Sequence, residues 1–403
     1  MTETVGLEFR SANERPAKGL QWLFVLICCA PLLALRASML ATPQALYDFI
    51  FYWASGHLFL TGGHPYSAAA MRAIVISYGG NPAWPVMTFC PPWGMPIIGV
   101  MAILPFHLAQ TVWFAVSLVL DCFSTLGLWI YFGGEKRKAW IAILISVTFI
   151  PMGGAEFVGQ ITPLMLASLT AFLLLLRSQR NFAAGLVLLG LGFKPHLLYL
   201  VFLAVLFWIV KTRAWTMAAG ATLSYGTATA LAQLYNPNSL DYLHNTIGTA
   251  LKVSCGLGGA LRSVFGAEHV WLQFLPCFLG FAWFLYYWVK HQRRWNWQIH
   301  LPLVLLVSVS TSPYCWNHDF ILILPALMAV AVPGAYRSIS VAVAYLVVQA
   351  IAFGLGLDPA WTSAAGVLWI AVYFIAKAKV KPGEIGRSLD SLLPGQTQEA
   401  TGA

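Results

Sequence analysis

The chain is 403 residues long, 59% hydrophobic and only 9% charged, with a mean hydropathy of +0.73, where soluble proteins are roughly a quarter charged. This composition excludes a soluble globular protein and leaves no stretch for a separate soluble domain; it describes a polytopic membrane protein with room for about a dozen helices. The net charge of +9 does not indicate nucleic acid, because the basic residues stand in short clusters between apolar runs, where they mark cytoplasmic loops.

Residues 1–19 are polar and carry Arg10, Arg15 and Lys18 just ahead of an apolar run over 21–40. That run is longer than a signal-peptide core and lacks a small-residue cleavage site, so it reads as an uncleaved first helix with a cytoplasmic N-terminus. The stretch 46–66, LYDFIFYWASGHLFLTGGHPY, then sets an acid, Asp48, at the membrane boundary among aromatics and two histidines, His57 and His64. Thr42-Pro43 supplies a cap and a first-turn proline for a helix running through Tyr52, which relieves Asp48 of a capping role. In that helix Phe49, Tyr52, Trp53 and Leu60 face lipid or core, with Asp48 and Ser55 on another face. A proline-rich passage from Asn81-Pro82 to Pro91-Pro92 leads to the short apolar segment 93–104, marginal for a span at about 1.5 Å per residue.

Further apolar segments follow at 108–132, 139–152, 161–176, 182–193, 197–210, 214–235, 270–289, 299–310, 320–332, 339–357 and 361–376. The basic clusters between them (Lys136 to Lys138, Arg177 with Arg180, Lys211 with Arg213, Lys290 to Arg294, Arg337, and Lys377 to Lys381) all fall inside if 93–104 dips into the outer leaflet without crossing. That parity gives about twelve spans, both termini cytoplasmic, and a disordered cytoplasmic tail over 380–403. The outer connections then carry Asp48, His57, His64, Glu156, Gln160, Lys194, His196, the loop 236–269 and Trp316 to Asp319, so unpaired polar chemistry gathers on one face. No internal repeat supports an inverted-repeat transporter.

The seven cysteines, Cys28, Cys29, Cys90, Cys122, Cys255, Cys277 and Cys315, show no CxxC spacing and read as packing residues. Cys90, Cys255 and Cys315 reach the outer face, where an oxidising compartment would permit one disulfide. His57 and His64 have no partners at metal-ligand spacing, so no metal site is expected. Arg36 and Asp121 sit inside apolar segments and read as a structural ion pair or a polar bundle contact.

A carboxylate at the depth of Asp48 is placed to take a proton from a hydroxyl, the task of a general base. Lys194-Pro195-His196 interrupts two apolar segments; its ammonium either snorkels to the interface or holds a phosphate as a point charge. In Ser312 to Asp319, SPYCWNHD, His318 is either an interfacial hydrogen-bonder or a donor to an anionic leaving oxygen, and it is favoured over Asp319 for chemistry. Trp316 suits prenyl or sugar stacking. Glu156 and Gln160 either satisfy local backbone groups or join the same site.

The order of DF, YW, G and GxHPY, followed about twenty residues later by FCPPWG, then Gly159-Gln160, GFKPH and finally SPxxWxH, resembles the polyprenol-phosphate-dependent integral membrane mannosyltransferases of glycosyltransferase family 87. Phe89 stands where that family usually has Tyr before the proline pair. The resemblance implies an all-α, GT-C-like polytopic transmembrane helix bundle of about twelve spans with an outer-face cavity. Residues 1–19 would be a cytoplasmic segment, 20–379 the transmembrane domain and 380–403 the tail. It further implies inverting transfer of a hexose, mannose first, from a polyprenyl monophosphate donor in the lipid bilayer to a glycolipid or glycan acceptor, with no metal or cofactor. Asp48 and His318 would be catalytic, and Lys194, His196, Trp316, Asp319, Gln160, Glu156 and Tyr66 would bind substrate. The implied location is the bacterial inner membrane, multi-pass, with the active site facing the periplasm or exterior. A transporter or flippase of a lipid-linked or anionic solute is the alternative, with an acyltransferase behind it. Clustering of acid, Lys and His on the outer face favours the enzyme, because alternating access keeps key polar groups near the midplane.

Overall fold

Helices that are apolar on every face bury themselves against one another or face lipid, and this sequence forms little else. The computed structural model describes residues 34, 47–81, 90–242, 256–354 and 364–380. The first apolar run over 21–40 apart from Ala34, Arg36 within it, the polar segment 1–19, Thr42-Pro43, Phe89, Cys28, Cys29, Cys255 and the tail beyond residue 380 lie outside them. Among the described residues every regular element is helical, so the fold is all-α.

After Asp48 come α1 (Phe49–Leu60) and α2 (Ala68–Ser77). The reversal between them uses Gly62 at φ 73°, and Ser67 caps α2 by accepting from the Ala70 amide at 3.3 Å. A 3-10 turn, Pro92–Gly94, opens α3 (Met95–Ala102). The whole apolar piece Pro92–Ala102 is about 16 Å long, roughly half of a 30 Å hydrocarbon core. α3 lies directly on α1: an added Cβ at Gly56 would meet the Ile98 carbonyl at 2.7 Å, and Trp53 Nε1 donates to the Leu104 carbonyl at 3.0 Å.

α4 (Phe106–Tyr131) coincides with the expected span 108–132, and among the described residues it alone is long and apolar enough to cross a membrane unaided. The next expected span, 139–152, is broken. α5 (Ala139–Thr148) and α6 (Ile150–Val158) meet at a bend of 57°. Pro151 explains the break, since proline is tolerated in the first turn of a new helix but not in an interior. α6 runs six residues past the expected end, so Glu156 lies in a buried helix rather than in a connection. Gly159, at φ 72°, ends α6 with the left-handed residue that helix termini favour.

The chain continues through α7 (Thr162–Arg177), α8 (Asn181–Leu191), α9 (Tyr199–Thr212) and α10 (Trp215–Tyr235). α8 and α10 touch backbone to backbone: an added Cβ at Gly185 would lie 2.1 Å from the Met217 carbonyl, and one at Gly220 would lie 2.2 Å from the Phe182 carbonyl. α11 (Leu257–Phe265) belongs to the long connection, and α12 (Leu275–His291) and α13 (Trp297–Ser310) follow it. A 3-10 turn, Asn317–Ile323, then feeds α14 (Leu324–Ala331), before α15 (Ile339–Gly354) and α16 (Ala364–Ala378). Most of these helices are shorter than 18 residues, so among the described residues length and composition identify one crossing helix, or two if the bent pair counts as one span. Among the described residues no disulfide joins Cys90 and Cys315, the described candidates for one.

Candidate active site

The site begins at a peptide contact: the Asp48 amide donates to the Val158 carbonyl at 2.9 Å, tying the entry of α1 to the end of α6. Asp48 precedes the first helical residue, yet its side chain makes no capping bond. α1 therefore opens at Phe49 without a side-chain cap, and the carboxylate is turned elsewhere. Gln160 Nε2 donates to Asp48 Oδ2, and Tyr52 Oη donates to Gln160 Oε1 at 3.0 Å. Among the described residues Oδ1 of Asp48 has no hydrogen-bond partner. Burial pushes the Asp48 carboxyl up to about 6; the Gln160 bond and Lys194 oppose that rise, and Asp319 adds to it.

Lys194 stands in the turn between α8 and α9, outside the expected spans. Its Nζ meets Asp319 Oδ1 at 2.7 Å, with side chains 8% and 0% exposed. The other Asp319 oxygen accepts from the Trp316 amide at 2.8 Å, closing the start of the 3-10 turn. Burial alone would raise the Asp319 carboxyl, but Lys194, His318 and the Trp316 amide hold it below the usual carboxylate range. Asp319 is thus an ionised partner committed to its neighbours.

His318 follows from the same turn, with Nε2 3.8 Å from Asp319 Oδ1, buried and, among the described residues, without a hydrogen-bond partner. An added Cβ at Gly154 of α6 would lie 3.7 Å from the His318 Cβ, so the bent helix packs directly behind this turn. His196 is placed similarly: its Nε2 is buried and has no hydrogen-bond partner among the described residues, and its ring meets the Tyr314 ring edge-on at 5.8 Å. Burial pulls both imidazoles down to about 4, with Lys194 adding to the fall and Asp319 opposing it. Both rings are therefore neutral at physiological pH, each with one N–H to donate. The Trp316 ring lies parallel to the His318 ring at 6.4 Å, and its Nε1 donates to Tyr314 Oη at 2.6 Å.

The structure thus brings together Asp48, Gln160, Lys194, His196, Trp316, His318 and Asp319 from four separate stretches of chain. Tyr66, also expected to bind substrate, has its hydroxyl committed to the Cys90 carbonyl at 2.9 Å. Glu156 stands apart, grouped with Asp121 around Cys122. His57 stacks on Trp53 at 5.0 Å, and His64 pairs with Asp241 at 2.9 Å away from the cluster. Sequence reasoning missed Tyr52 and Tyr314 as members of the site. Tyr52 had a signal, since it lies one helical turn beyond Asp48.

An ionisable carboxyl with one open oxygen, an ammonium and two neutral imidazole donors in one buried cluster can take a proton at one point and hold an anion at another. The family model of glycosyltransferase family 87 matches residues 89–313, more than half of the chain. Gln160, Lys194 and His196 fall within the match, while Asp48 and His318 lie beyond its two ends. Among curated proteins none matches the chain. The chain belongs to glycosyltransferase family 87 and is a membrane glycosyltransferase.

Proposed function

We propose that this glycosyltransferase moves a hexose, mannose by its family resemblance, from a polyprenyl monophosphate to a lipid- or polymer-linked glycan, with inversion at the anomeric carbon. The observation that carries the reading is Asp48, whose Oδ1 has no partner among the described residues, within electrostatic reach of Lys194, which is flanked by two buried imidazoles whose Nε2 atoms likewise have none among those residues. The acceptor hydroxyl gives its proton to Asp48 Oδ1 as its oxygen bonds to the anomeric carbon, and the bond from that carbon to the phosphate oxygen breaks. Lys194, His318 and His196 take the charge that develops on the departing phosphate, acting as fixed donors in a water-poor site. A monophosphate leaves less charge to neutralise than a diphosphate, which suits a site built from side chains alone. Trp316 offers its face to the sugar or the first prenyl unit. Asp319 serves by orienting Lys194 and closing the His318 turn.

In the bundle of about twelve spans that we infer from the charge pattern, this site opens on the outer face of the inner membrane. Nucleotide sugars are absent there, so the donor is drawn from the bilayer.

Asp48→Asn keeps size and most hydrogen bonding but removes the base. With radiolabelled polyprenyl-phosphate mannose and membranes containing the full chain, label should pass to a new glycolipid or polymer. The Asp48→Asn protein should bind the donor yet transfer label about 100-fold more slowly or worse, the scale of a lost general base. Near-normal turnover in the well-expressed variant would remove Asp48 from the chemistry. Label that crosses the bilayer without changing carrier would assign the protein to transport instead.

A further inference from the structure

Both ends of the Gln160 amide are engaged inside the protein, which leaves this residue poorly suited to holding substrate and well suited to holding Asp48. Its Oε1 accepts from Tyr52 Oη at 3.0 Å and its Nε2 donates to Asp48 Oδ2. Gln160 and Tyr52 are each only 6% exposed, so neither bond is exchanged readily for one to water. The Asp48 amide is already fixed on the Val158 carbonyl. The rotation of the carboxylate is the freedom that remains, and Gln160 removes it.

We propose that Tyr52 is a positioning residue for the reaction: its hydroxyl fixes the orientation of the Gln160 amide, which in turn aims Asp48 at the acceptor hydroxyl. The two ends of a primary amide have nearly the same shape and opposite polarity. Turned over, Gln160 would press a carbonyl oxygen against the Asp48 carboxylate, acceptor against acceptor. The Tyr52 hydroxyl satisfies Oε1 in the productive orientation; without it that buried oxygen has no partner and the amide is free to rotate. The backbone supports this division of labour. Tyr52 and Asp48 lie one turn apart at the start of α1, and Gln160 follows the left-handed Gly159 that ends α6, so one relay joins two elements. Reactions of this kind depend steeply on alignment of the attacking group, so a base that wavers loses rate while the donor site stays whole.

The inference rests on the reading of Asp48 as the base, and the experiment separates the two. The purified full chain in lipid nanodiscs is assayed with radiolabelled polyprenyl-phosphate mannose, comparing Asp48→Asn, Tyr52→Phe, Gln160→Leu and the double variant Tyr52→Phe with Gln160→Leu. Tyr52→Phe should lower kcat roughly tenfold with donor KM unchanged. Gln160→Leu should do the same, and the double variant should be no worse than Gln160→Leu, because Tyr52 acts only through Gln160. Losses that multiply would overturn the relay, as would wild-type kcat in Tyr52→Phe while Asp48→Asn is dead; in those cases the base reading stands alone. An active Asp48→Asn would remove both. Should Tyr52→Phe fail to fold, Gln160→Leu decides the matter: a raised donor KM at unchanged kcat would make Gln160 a substrate ligand and end the proposal.

Discussion

A carboxyl of about pKa 6 is unusual, and in Asp48, the proposed base, the cause is burial, which outweighs the Gln160 bond and the Lys194 charge. The sign of the pH dependence follows. Below about pH 6 the carboxyl holds its proton and cannot take another, so kcat/KM should fall about tenfold per unit of pH on the acid side and level off above about pH 7. His318 and His196, pulled down to about 4, are already neutral across that window and contribute no limb of their own. A pH profile of transfer with saturating acceptor checks this, and a profile flat from pH 5 to 8 would assign the proton to another group. Asp48, Lys194 and His318 were legible in the sequence because each is a polar residue interrupting an apolar run, where burial needs a reason. Tyr52 was passed over despite its spacing of one turn from Asp48, since an aromatic residue on an apolar helix face satisfies the packing pattern and periodicity gives its hydroxyl no weight. Nor was the fate of Asp319 legible, since its partner Lys194 lies 125 positions earlier. Only the fold brings a buried charge to its counter-charge, and a pair so buried persists because removing either member strands the other.

Among elements, legibility followed length. α4 matched its expected bounds to within two residues because its apolar run is long and uninterrupted. The 139–152 segment did not, because apolar residues continue across the bend and only Pro151 marks it. That bend is what delivers the end of α6, and with it Gln160, to Asp48. The contact between α8 and α10 was equally hidden, since isolated glycines in apolar helices carry no period. It makes a sharp prediction. Gly185→Leu would force a side chain into the Met217 carbonyl, 2.1 Å from an ideal Cβ, and should cost about 1–3 kcal/mol or more as the helices are driven apart. Gly226→Ala, in the same α10 but with nothing within 4 Å, should be neutral or raise stability by up to about 1 kcal/mol through helix propensity. Thermal melts of the purified variants in one detergent separate the outcomes, and equal melting temperatures would mean that the two helices are not in the close contact described.

At the scale of the whole molecule, charge and chemistry occupy opposite ends of the bundle. Phe106, at the start of α4, packs against Phe49 and Trp53 beside Asp48. About 39 Å away along the same helix, the carbonyl of Tyr131 accepts from Arg177 at 3.0 Å and from Gln298 at 2.6 Å. That far end also holds the close of α7, and Arg177 and Arg180 flank the turn that follows it. By the positive-inside rule we propose that this end lies in the cytoplasm, which would turn Asp48, Lys194 and His318 outward. Single cysteines test the orientation without disturbing the site, because Thr61 and Ser178 are both exposed and stand in turns at the two ends. A membrane-impermeant maleimide should label Thr61→Cys in intact cells and Ser178→Cys only after the membrane is opened, each measured against the parent chain to subtract its native thiols. The reverse pattern would place the candidate cluster on the cytoplasmic side, where nucleotide sugars are plentiful. A donor drawn from the bilayer would then lose its physical rationale, while the hydrogen-bonded arrangement around Asp48 would still have to be explained by a different donor.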